Sequence, residues 1–238
     1  MPRLLSLCAV AAISLFSALP LRADTLPVPP NLIAFDSIEG EKLLLGAEAT
    51  KAYFSLSEQF VTQRNQAFCG VASLVMTLNA LKVPAPASKE LAPFKAFDQS
   101  NIFTPQTEAV LPRSGIEKHG MTLDQFASLA QAVGLKAEMH HASDTTLAEF
   151  RRRVRARLEV AGQYVIVNYL RSALGQQKGG HISPLAAYDA DSDRFLILDV
   201  SRYKYPPVWV TASDLFAAMN TPDHDNGNRS RGFVELSR

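Results

Sequence analysis

The chain is poor in cysteine, with only Cys8 and Cys69 among its 238 residues. That excludes a disulfide framework of the kind that staples small secreted domains. It also lacks a charge imbalance. Lys and Arg number 24 against 23 Asp and Glu, giving a formal net charge of +1 with both signs spread along the chain. There is thus no basic face of the kind that binds nucleic acid, and small or neutral partners are expected instead. Beyond the N-terminus no apolar run is long enough to cross a bilayer, and neither internal repeats nor low-complexity tracts occur.

The N-terminus itself reads Met1-Pro2-Arg3, then an apolar stretch from Leu4 to Leu21, then Leu21-Arg22-Ala23 before Asp24. This pattern predicts a cleaved secretory signal over residues 1–23. Cys8 follows Leu7 inside the apolar stretch. A lipoprotein signal would put a small residue before a cysteine at the cleavage point, so no lipid anchor is expected. Residues 24–238 then form an exported, periplasmic protein of about 215 residues, enough for one large domain or two small lobes. Cys69 becomes its only cysteine, in a compartment where paired cysteines are oxidised, and an unpaired thiol there suggests use.

Cys69 opens a helical pattern. Ala72, Leu74, Val75, Leu78 and Leu81 fall largely on one face, and Pro84 ends the run. A thiol in the first turn meets unpaired N–H groups and the positive end of the helix dipole, which favour thiolate. Gln63, six residues upstream, could set its amide beside the Cys69 N–H, and the pair would hold the oxygen of a tetrahedral intermediate. Taken alone, the segment reads equally well as a small buried hydrophobe at the start of a core helix.

Elsewhere in the N-terminal half, Pro27, Pro29 and Pro30 mark an extended arm, Leu32 to Tyr53 is expected to be a helix, and residues 54–68 a loop delivering Gln63. Repeated prolines between Lys82 and Arg113 predict short helices and loops. Thr122 and Gln125 make a capping box for a helix that Gly134 stops. Another helix begins near Thr145, with Leu147, Phe150, Val154 and Leu158 inward and five arginines between Arg151 and Arg157 on a solvated face. The period then shortens: Tyr164 to Leu170, His181 to Tyr188, Phe195 to Val200, Val208 to Val210 and Phe233 to Leu236 read as strands, with a helix over Ser213 to Asn220. The fold class is α+β, papain-like, with a helical N-terminal lobe and an antiparallel sheet as C-terminal lobe.

A cysteine nucleophile needs a base, and histidine suits both proton transfers. His181 opens a strand after the Gly175-Gln176-Gln177-Lys178-Gly179-Gly180 loop, where a side chain can face a cleft. His119 precedes a helix cap, His140-His141 is expected in a connector, and His224 lies in a polar loop better read as solvated than as a cation site. Asp199 ends an apolar strand, and an acid there calls for a partner. A hairpin turning at Ala190 to Asp193 would bring His181 and Asp199 together. The order cysteine, histidine, acid is the papain-type arrangement.

At this point the sequence resembles the phytochelatin synthase family, in its short bacterial form that comprises only the catalytic domain. The resemblance is carried by Gln63, Asn65 to Ser73, Val167 to Arg171, Gly179 to Tyr188, Leu198 to Val200 and Ser230 to Phe233, and runs from about Leu26 to Phe233. It implies a papain-like fold, a triad of Cys69, His181 and Asp199, and Gln63 in the oxyanion hole. It further implies glutathione and related γ-glutamyl thiol peptides as substrates. Glycine is expelled and γ-glutamylcysteine is held as a thioester, resolved mainly by water and weakly by a second glutathione. Arg171 and Arg231, with Asn168 beside them, are the expected holders of substrate carboxylates. No cofactor is required on this reading, metal ions enter as thiolate complexes of the substrate, and a homodimer is suggested.

Two other readings use the same residues. A papain-like peptidase acting on exported peptides would need the same four catalytic groups. A non-catalytic thiol- or metal-binding protein would use Cys69 as a ligand, although one cysteine among scattered histidines makes a poor soft-metal site.

Overall fold

The computed structural model describes residues 25–89 and 92–238; the expected export signal lies outside them. In chain order the elements are β1 (Ile33–Ala34), α1 (Ile38–Gly46), α2 (Lys51–Glu58), α3 (Cys69–Ala80), α4 (Pro105–Val110), α5 (Arg113–His119), α6 (Leu123–Ala132), β2 (Lys136–His141), α7 (Leu147–Leu158), β3 (Tyr164–Leu170), β4 (Gly180–Asp189), β5 (Arg194–Ile197), β6 (Val208–Thr211), α8 (Ala212–Met219) and β7 (Gly232–Ser237). The seven strands form one sheet in the order β1-β6-β5-β4-β3-β7-β2, every pair antiparallel. The class is α+β. Helices are not confined to the N-terminal half, since α7 and α8 both pack on β3. Among the described residues no helix is long and apolar enough to cross a membrane.

Local chemistry sets most boundaries. Thr122 and Gln125 form the expected reciprocal capping box of α6, and Gly134, at φ +87°, follows its end. Thr146 caps α7 by accepting from the Glu149 N–H. The stretch from Leu32 to Tyr53 is not one helix. Gly46 ends α1, and Ala49 exchanges both backbone bonds with Tyr188 of β4, a sheet contact that a continuous helix would forfeit. His140 and His141 sit on a strand, not in a connector, because Lys136 to His141 pair residue for residue with β7.

The core includes the sheet's central strands, with α3 packed on β4 and α7 and α8 on β3. From Cys69 to Leu78 every residue of α3 is buried, so the helix is enclosed on all sides and not only on one face. Its two hydroxyls are satisfied without water: Ser73 Oγ donates to the Ile182 carbonyl at 3.2 Å and Thr77 Oγ1 to the Ser73 carbonyl at 2.9 Å. The first of these bonds ties the helix carrying Cys69 to the strand carrying His181. The β4–β5 hairpin turns where expected, with Asp193 at φ +51° held by Arg151 and by the Tyr188 hydroxyl.

Candidate active site

The turn before α3 is built by Asn65. Its Oδ1 accepts the Ala67 N–H at 2.9 Å and its carbonyl accepts the Phe68 N–H at 3.2 Å. Phe68 occupies the N-cap and has no capping side chain, so the first-turn N–H groups point at Cys69 and whatever lies in front of it. Cys69 is the first helical residue and is 7 % exposed.

Register delivers the other two groups. Leu185 pairs with Ile197, and continuing that register puts Ser183 opposite Asp199. His181 and Asp199 are then diagonal neighbours on one sheet face. Their contact is direct, with His181 Nε2 2.9 Å from Asp199 Oδ1. Ser183 Oγ lies 2.8 Å from the same nitrogen and also accepts the Val200 N–H at 3.3 Å. Tyr169, the cross-strand partner of His181, sets its ring edge-on to the imidazole at 5.7 Å. With Nε2 so engaged, Nδ1 is the nitrogen left to face Cys69, and the two groups lie near enough to shift each other's titration.

Burial alone would raise the Cys69 thiol, but the bond to His181, the imidazolium charge and the Ile182 N–H together hold it below the ordinary thiol range. Burial would likewise lower His181, and the Asp199 carboxylate more than offsets it, so the imidazole is raised. Asp199, fully buried, is held well below the usual carboxylate range in spite of its desolvation, by His181 first and by Arg171 after it. All three shifts favour a thiolate–imidazolium pair backed by an ionised acid. The arrangement suits nucleophilic acyl transfer.

The other expected residues divide. Arg231 and Asn168 line a cleft of about 690 Å³ together with Cys69 and His181. The Arg231 Nε is buried without a partner, while its Nη1 donates to the Thr221 hydroxyl at 3.1 Å and the Pro222 carbonyl at 2.5 Å. Asp223 and Asp225 face the same space. Arg171 departs from its expected place. It is buried behind Asp199 and does not line the cleft, because the loop between β3 and β4 folds its guanidinium inward. Gln63 is also buried and outside the cleft lining. Its amide donates to the Asn65 carbonyl at 2.6 Å and the Tyr203 hydroxyl at 3.0 Å, and accepts from Ser201 Oγ at 2.7 Å. Donation to an oxyanion requires release of one of those two bonds.

Sequence reasoning missed Ser183, Gln176 and the turn between α5 and α6. Ser183 was findable, since strand alternation puts it on the face of His181. Lys118, His119 and Met121 line the cleft, and the Met121 thioether packs over Gly70, where an added Cβ would meet its sulfur at 2.4 Å. No local pattern announces that contact. Away from the cleft, ligand atoms of Glu138, His140 and Glu235 lie within 4.8 Å of one another. Arg153 and Arg157 already bond both carboxylates, so their charge is compensated by cations of the chain itself.

The sequence profile of the phytochelatin synthase family matches residues 23–233. The chain belongs to that family. Among phytochelatin synthase relatives it is 38 % identical to glutathione gamma-glutamylcysteinyltransferase 3 of Lotus japonicus, over 90 % of this chain and 43 % of that protein. It is 36 % identical to glutathione gamma-glutamylcysteinyltransferase 1 of Arabidopsis thaliana, over 90 % and 43 %, and 34 % identical to the glutathione gamma-glutamylcysteinyltransferase of Schizosaccharomyces pombe, over 88 % and 50 %. The chain thus spans half or less of the length of these phytochelatin synthase relatives.

Proposed function

We propose that this protein is a γ-glutamylcysteine transferase and hydrolase acting on glutathione. The observation that carries the reading is the 2.9 Å contact of His181 with the buried Asp199 in the cleft that His181 and Cys69 both line, in a member of a family whose matched relatives bear the name of that activity. Cys69 attacks the carbonyl of the cysteinyl residue of glutathione. His181 gives its proton to the departing glycine amine, and a thioester forms on Cys69. Water, or the amine of a second glutathione, then gives up a proton to His181 as it attacks, and the thiolate leaves. The Cys69 N–H holds the oxyanion, joined by Gln63 once its amide exchanges one of its bonds. Arg231 and Asn168 face the cleft and bind the substrate's carboxylate and amide groups.

On the same reading metal ions reach the site as thiolate complexes of the substrate, with no resident cofactor. Residues 1–23 direct export to the periplasm, and the protein works as a homodimer. The direct test of activity is glycine release from glutathione by the purified protein beside its Cys69→Ala variant. Release by the wild type and background rates in the variant are expected. Equal rates in both, or peptide cleavage with no action on glutathione, would contradict the proposal.

A further inference from the structure

Arg171 is 2 % exposed, a burial that arginine tolerates only beside a compensating anion. Here the anion is Asp199. Nη2 donates to Oδ1 at 2.9 Å, and Nη1 lies 2.8 Å from Oδ2 while spending its hydrogen bond on Gln176 Oε1 at 2.6 Å. The guanidinium carbon sits 5.3 Å from the centre of the Tyr205 ring. Backbone bonds from the Arg171 N–H to the Gly179 carbonyl and from the Gln176 N–H to the Arg171 carbonyl fix the loop that ends where β4 and His181 begin. None of these guanidinium partners lines the cleft, and the one charged partner is the acid.

A count of charges shows what such a cation does. A thiolate on Cys69, an imidazolium on His181 and a carboxylate on Asp199 leave one uncompensated negative charge in an enclosed site. Low-dielectric surroundings shed such a surplus by taking up a proton, and either anion that does so ceases to function. Arg171 brings the buried sum to zero, and half-buried Lys204 is the other cation near Arg171 and Asp199.

We propose that Arg171 is a positioning residue of the reaction centre, the fixed counter-ion that keeps Asp199 ionised and aimed at His181 and thereby maintains the thiolate on Cys69. The proposal rests on Cys69 being the nucleophile but not on which peptide it attacks. Arg171 touches no substrate; its bonds are to Asp199, and its charge also favours the Cys69 thiolate directly while opposing the His181 imidazolium, which Asp199 holds.

The test is the pH dependence of Cys69 alkylation by iodoacetamide, followed by mass spectrometry of its peptide, in the wild type, Arg171→Met, Arg171→Lys and Gln176→Ala, each checked for folding by circular dichroism. Only the thiolate reacts. In Arg171→Met the midpoint is expected to move up by about one unit or more, the size of effect a charge near an ionisable group exerts. Arg171→Lys should recover most of that shift. Gln176→Ala loosens only the brace on Nη1 and should give a smaller shift the same way, and it decides the matter if Arg171→Met does not fold. A folded Arg171→Met with the wild-type midpoint, a lysine variant displaced as far as the methionine one, or an unmoved Gln176→Ala in place of an unfolded methionine variant would overturn the proposal while leaving the nucleophile in place. An ordinary thiol midpoint in the wild type would overturn both.

Discussion

Two sets of arginine–carboxylate pairs in this molecule have nearly the same bond lengths and very different surroundings. Behind the cleft, Arg171 and Asp199 are 2 % and 0 % exposed and bound to Gln176, Ser201 and His181. On the outer side of the sheet, α7 presents Arg153 and Arg157 to Glu235 and Glu138, with the arginines about a quarter to a third exposed and Glu138 about half. Further along the same helix, Arg152 and Arg155 pair with Glu149 and Glu159 across one turn. Water competes for the bonds of Arg152, Arg155 and Glu138, so each of those changes little when broken, whereas Glu235 is itself buried and stands between the two cases. The interior pair has no such substitute, and loss of one partner strands the other. The difference teaches that burial, more than bond length, decides which charges a reaction can depend on.

The largest expected effect is at the acid itself. Asp199→Asn preserves shape but removes the charge that holds the imidazole in its working tautomer, so turnover of glutathione should fall on the order of 10³–10⁴-fold. Unchanged turnover, read as glycine release, would move the orienting role elsewhere. The pH profile comes next. Cys69 is lowered and His181 raised, so each is shifted toward its charged form. Glycine release by the wild type should therefore survive on lowering the pH well below the usual thiol range. It should be lost in acid as Cys69 protonates and lost in base as His181 gives up its proton. A rate that rises only through the ordinary thiol range would contradict the ion pair.

Away from the cleft the effects shrink to stability. Glu235→Gln keeps the hydrogen-bonding shape but removes the charge that two arginines share, and should cost on the order of 1–3 kcal/mol by chemical denaturation with glycine release intact. A loss of catalysis there would erase the contrast between the two sides. Arg152→Ala, at the solvent end of the series, should leave both the melting temperature and the rate unchanged, and a measurable drop in either would show that the exposed pairs matter more than this account allows.

How far these features could be read from the sequence follows the same divide between local and distant causes. The start of α3 and its cysteine were legible because an apolar period begins at Cys69. The His181–Asp199 contact was legible because hairpin register is fixed by strand alternation and a short turn. The edge strand β2 was not, since Lys136, Glu138 and His140 give it the polarity of a connector and only pairing with β7 makes it a strand. The arginines of α7 read as a uniformly solvated face, yet Arg153 and Arg157 reach the buried Glu235 of β7. Arg171, the residue after β3, was expected to hold substrate at the cleft. What buries Arg171 is Asp199, 28 residues away in sequence, and the ring of Tyr205. Gln63 lies in a loop, though α2 fills the expected loop as far as Glu58, and the Ser201 and Tyr203 partners that hold its amide are 138 and 140 residues distant.

The central claim is that Cys69, prepared by His181 and the buried Asp199–Arg171 pair, carries the acyl group. It is tested most directly by mixing the purified protein with glutathione, quenching in acid and mapping adducts by mass spectrometry. The account predicts a γ-glutamylcysteinyl thioester on the Cys69 peptide, formed with release of one glycine per adduct and absent from Cys69→Ala. Glycine released with no adduct at Cys69, and equally by the alanine variant, would contradict it.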